Sequence, residues 1–169
     1  GTVVENASVP TGAVGMQVTS LVDFTIPAGG LDNVSDVDSS PSTGIAITAT
    51  NSSLTCYYSI NSGATWTLLG SVSNASARLL SAGVTNRVYC RAGTGTFGTF
   101  SNAITFRAWD QTTGVNGSTA DTTTSGGTSA FSLTTDTAGL TITSAGNHAP
   151  VAGDDEYTVD QNSPGVALA

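Results

Sequence analysis

At 169 residues the chain is long enough for one well-buried core of roughly 100–150 residues, with a short piece left over. Twelve acidic residues stand against four arginines and no lysine, and the resulting net charge of −8 repels a phosphate backbone, which excludes nucleic acid as a partner. No apolar run approaches the roughly 18 residues of a spanning helix, so membrane insertion by this segment is excluded as well.

Only 9% of residues are charged, against about 25% in an average soluble protein, and Gly alone contributes 20. Runs rich in Thr, Val, Ile and aromatics favour strands, and the Gly and Asn clusters between them favour turns. No amphipathic helical period extends beyond a turn or two. The chain reads as all-β.

Residues 1–15 are turn-rich and hold one short edge strand at 2–5, because Pro10 cannot donate to a ladder. Residues 16–24 form the first convincing strand. The loop 31–44, LDNVSDVDSSPSTG, then brings Asp32, Asp36 and Asp38 close together in sequence. Clustered aspartates are ordinarily a solvated surface, but in a curled loop their oxygens also suit a hard cation such as calcium. Residues 44–50 alternate as a strand, and 54–60 follow as another. Asn61-Ser62-Gly63 is expected to turn the chain tightly into 64–70. Trp66 and Leu68 then share a face, as packing or as a stacking platform for a ligand.

A loop at 71–83 surrounds Leu79-Leu80, and residues 86–92 form a strand. The glycine-rich stretch 93–100 is expected to be a turn, since neither a lysine nor a following helix supports phosphate binding. In SNAITFRAWD, residues 101–110, Ile104, Phe106 and Ala108 alternate with Thr105, Arg107 and Trp109, the period of a strand buried on one face. Asp110 stands at the corner that follows. A long polar loop then leads to a closing strand at 131–143. Seven or eight strands at this spacing favour two packed antiparallel sheets with Greek-key connections.

Parity places Cys56 with Leu54 and Tyr58, and Cys90 with Val88 and Ala92, so each cysteine points with the more apolar set of its strand. Two inward cysteines on different strands are placed to form a disulfide in an oxidising compartment; the alternative is a pair of buried free thiols. The one histidine, His148, falls in a linker. With no positioned base beside a nucleophile, and too few Cys and His for a zinc site, an enzyme is not expected. N-x-S sequons at Asn6, Asn33, Asn51, Asn74 and Asn116 are acceptors only in an organism that glycosylates them.

The ordered phrases YYSINSGATW, AITFRAWDQTTG, ADTTTSGGTSAF, TDTAGLTIT and NHAPV cover most of the chain. Together they resemble cadherin-like, immunoglobulin-type tandem repeats of large bacterial surface and secreted proteins. The resemblance implies an immunoglobulin/cadherin-like β-sandwich repeat over residues 1–146, exported to the cell surface. Residues 147–169 would then be a linker and the first strand of a following repeat, or a strand donated to a neighbour. The implied function is that of an extracellular structural or adhesion module stiffened by calcium (Ca2+). Its partners would be like domains in tandem or head to tail, with a cell-surface glycan or protein as a further possibility.

Carried over by position, Asp110 and the Asp36-x-Asp38 pair resemble the calcium ligands of such repeats, with Asp32 or Glu5 assisting. The junction departs from the family pattern at Asn147-His148-Ala149-Pro150, where a carboxylate is usual in place of the histidine. Two alternatives stand beside the leading reading. One is a carbohydrate-binding sandwich using Trp66, Trp109, Tyr57, Tyr58 or Tyr89, and the other is a filament subunit linked by strand donation.

Overall fold

The computed structural model describes residues 1–22, 34, 42–146, 150 and 152–153. Among these the chain forms ten strands: β1 (Thr2–Val4), β2 (Met16–Gln17), β3 (Gly44–Thr50), β4 (Thr55–Ser59), β5 (Thr67–Leu68), β6 (Ala77–Ser81), β7 (Arg87–Arg91), β8 (Gly98–Trp109), β9 (Thr119–Ala120) and β10 (Asp136–Thr143). They make a β-sandwich, with one sheet ordered β1-β10-β8-β3-β6-β9 and the other β2-β7-β4-β5. All pairings are antiparallel except that of β1 with β10, which is parallel.

The core between the sheets follows from side-chain alternation. Ile45 and Ile47 of β3, Leu80 of β6, and Ile104 and Phe106 of β8 meet Cys56 and Tyr58 of β4 and Val88 and Cys90 of β7. Cys56 and Cys90 are directly opposed across β4 and β7 and form a disulfide, as their parity anticipates.

A second, smaller core lies on the outer face of the six-stranded sheet, where Ala46, Ala77, Leu79 and Trp109 are covered by Ala130 and Phe131. The stretch after β8 therefore folds back over the sheet as a third layer. Thr122 is fully buried there, with its amide and hydroxyl both donating to the Asn74 carbonyl at 2.6 and 2.9 Å. Asn116 is tied in through Ser81 N–H, which donates to its Oδ1, and through its own Nδ2, which donates to Asn86 Oδ1.

Several sequence expectations change as a result. Residues 77–81, expected in a loop, are strand β6, with Leu79 and Leu80 serving opposite cores. The strand expected at 16–24 stops after Gln17 and passes into a 3-10 turn, Val18–Ser20, whose first amide donates to the Asn86 carbonyl. The closing strand begins at Asp136, and Phe131 contributes only a bridge to Trp109.

The four arginines share one task. Arg78 Nη1 donates to the Gly117 carbonyl, Arg87 to those of Val14 and Gly15, Arg91 to that of Ala7, and Arg107 to those of Ser132 and Leu133. Each guanidinium staples an irregular segment onto a strand. Charge-assisted bonds of this kind are about twice as strong as neutral ones.

Candidate functional site

The upper pole of the sandwich is where β3 begins and β8 ends, since Gly44 pairs with Trp109. Asp110 follows directly. Its Oδ1 accepts from the Thr112 amide at 2.8 Å and the Thr112 hydroxyl at 2.7 Å, a local turn that starts the loop. Gln111 Nε2 reaches the Thr43 carbonyl, so the chain returning from the acidic loop arrives beside Asp110. Asp32, Asp36 and Asp38 lie outside the described residues. Among the described residues no three Cys, His, Asp or Glu side chains come together.

Glu5 is at the opposite pole. It is 4% exposed, and its carboxylate accepts from the Gly95 amide at 2.7 Å and the Ala145 amide at 2.9 Å. Gly95 precedes β8 and Asp110 follows it, which separates the two acids by the length of a 12-residue strand, on the order of 35 Å. Glu5 and Asp110 therefore cannot hold one ion. Glu5 instead binds together the end of β1, the turn before β8 and the chain leaving β10.

Trp109, a candidate for ligand stacking, is 2% exposed and packs against Gly44 in the outer core, with Nε1 donating to the Thr113 carbonyl at 2.7 Å. It cannot stack on a ligand. Strict alternation had put it on a solvent face, which the third layer covers. Tyr58 is likewise buried, with Arg78 over its ring at 4.8 Å.

Trp66 has a different setting. It shares the outer face of the four-stranded sheet with Leu68, Tyr57 and Tyr89. Tyr57 is paired directly with both Leu68 and Tyr89, and Trp66 meets Tyr89 edge to face at 6.1 Å. The three aromatic residues are half-buried and Leu68 is 55% exposed. Burial raises the pKa of Tyr89, and the nearby Arg91 charge partly offsets this. Residues 7–15 are fixed to this face through Arg87, Arg91 and the Trp66 Nε1, which donates to the Gly12 carbonyl at 3.1 Å. Gly63 packs against that carbonyl with φ +87°, a site with no room for a Cβ.

The parity that turns Tyr58 inward with Cys56 turns Tyr57 and Tyr89 outward, which is where the structure has them, although all three were grouped together as stacking candidates. Comparison of the chain with protein-family models, curated proteins and solved structures returned no match.

Proposed function

We propose that this chain is an extracellular structural and adhesion module that works in series with like domains. The observation that carries the reading is the parallel pairing of β1 with β10, in which Thr2 opposes Thr141 and Val4 opposes Thr143. In a parallel pair both strands run in the same direction, and here β1 lies beside the last residues of β10. A chain passing through the fold therefore enters and leaves in the same direction, as serial connection requires. Tension on such a chain loads the Thr141 N–H to Gly1 O and Glu5 N–H to Thr143 O hydrogen bonds in shear, all together. The disulfide supports an oxidising location.

Single-molecule pulling on the chain between handles at its two ends tests the proposal. The expected result is one cooperative unfolding event, with its force lowered by Thr141→Pro, which removes a β1 contact at the edge of β10. If β1 peels off at low force, or the substitution changes nothing, the serial reading is wrong.

Calcium belongs to the same proposal, held by Asp110 with Asp36, Asp38 and Asp32, and without Glu5. Two features support it: the acidic loop re-enters the fold beside Asp110, and only one oxygen of that carboxylate is engaged by Thr112. An unchanged melting temperature in calcium and in chelator would remove the ion from the reading and leave the serial module standing.

A further inference from the structure

The outer face of the four-stranded sheet departs in charge from the rest of the molecule. On β7, Arg87, Tyr89 and Arg91 alternate outward with a repeat of roughly 7 Å. The acids among the described residues are Glu5, Asp110, Asp121 and Asp136, and none of them lies on β2, β4, β5 or β7. Two of the four positive charges of a chain of net charge −8 are thus collected on one face, beside its half-exposed aromatic rings.

Those charges are not consumed by the fold. Arg87 and Arg91 each use Nη1 to hold a carbonyl of residues 7–15. Their Nε atoms are enclosed without a partner, but their Nη2 groups are not enclosed and have no partner among the described residues. Each guanidinium is therefore held in place by one arm and open at another.

We propose that this face binds an acidic oligosaccharide, one carrying uronic carboxylates along a linear chain. The positive strip is complementary in charge to such a polymer, and the half-exposed rings of Tyr57, Trp66 and Tyr89 beside it supply the aromatic surface on which the C–H side of pyranose rings packs. A planar guanidinium meets a carboxylate with paired donors. An acidic peptide is the poorer fit, because the backbone groups in the middle of this sheet are already paired between strands and offer it no main-chain ladder. Trp66, Tyr89 and the two guanidiniums are held in place beforehand, so less ordering remains to oppose binding. The inference is independent of the serial-module reading.

Titration calorimetry with a hexauronate, its carboxyl-reduced neutral counterpart and an oligoglutamate of equal charge tests it. The hexauronate is expected to bind, more weakly at high salt, and at least about tenfold more tightly than either control. Tyr57→Ala and Arg87→Gln are each expected to weaken binding by about tenfold. Neither residue is in a core, and an unchanged melting curve verifies that each variant is folded. Arg107→Gln, on the other sheet, is expected to leave binding unaltered. No binding, equal binding of the neutral sugar or of oligoglutamate, or full binding by folded Tyr57→Ala would each overturn the proposal.

Discussion

Single side chains in this protein act mostly as fasteners. Arg107 holds the Ser132 and Leu133 carbonyls at 2.9 and 2.5 Å and so keeps the third layer on the sheet. Arg107→Ala is expected to lower unfolding free energy by about 1.5–3 kcal/mol in urea titrations, the range for bonds to a charged group. Gly44 is constrained from the other side, since a Cβ there would stand 2.7 Å from both the Leu80 carbonyl and the Trp109 ring. Gly44→Ala is expected to cost roughly 1–3 kcal/mol by forcing the buried indole out of its seat. Two titrations mark the ends of the pH range. The Thr123 hydroxyl and amide hold the Asp121 carboxyl below its ordinary pKa, so the stability it contributes is present above that value and is lost as pH falls through the lowered one. Tyr89 works in reverse: its raised pKa makes stability fall as pH rises past the ordinary tyrosine value near 10. Tyr89→Phe should flatten that alkaline slope in pH-dependent melting.

Among the elements, the disulfide joins the two central strands of the smaller sheet across a separation of 34 residues. Reduction is expected to cost about 2–4 kcal/mol, read from melting with and without reductant after intact mass confirms the change. Strands whose two faces differ in side-chain size and polarity were the legible ones: residues 44–50 were bounded correctly, although residues 44–48 are buried on both faces, because Ile45 and Ile47 alternate with the smaller Ala46 and Thr48, and the inward parity of Cys56 and Cys90 matches their 4% and 7% exposure. Elements with large apolar residues on both faces were not. In β6 the consecutive Leu79 and Leu80 are each 0% exposed on opposite sides, which erases the alternation that signals a strand. Trp109 was misassigned for the same reason. The third layer left little trace in the sequence, because it is held by backbone carbonyls, a buried threonine and arginine bonds and carries only Ala130 and Phe131 as buried apolar anchors. Of the candidate metal ligands, the sequence grouped Glu5 with Asp110, whereas the length of β8 sets them at opposite poles.

At the scale of the whole molecule, the staples have a consequence for resistance to proteases. A trypsin-type protease cuts only after arginine or lysine. This chain has no lysine, and its four arginines all belong to β6, β7 and β8, Arg87 and Arg91 as the first and last residues of β7, with their side chains engaged. Cleavage at Arg78 or Arg107 requires the strand to leave its sheet, and cleavage at Arg87 or Arg91 requires an end of the central strand β7 to open, so digestion follows the population of opened states. The folded chain is expected to outlast trypsin for as long as it stays folded, and to become sensitive once its disulfide is reduced and denaturant is present. A protease with apolar specificity meets no such restriction, because Val84, Val115 and Leu133 stand about 70% exposed in connecting segments. Limited digestion with the two enzymes in parallel would separate them: one reports opening of the sheets, and the other reports the loops.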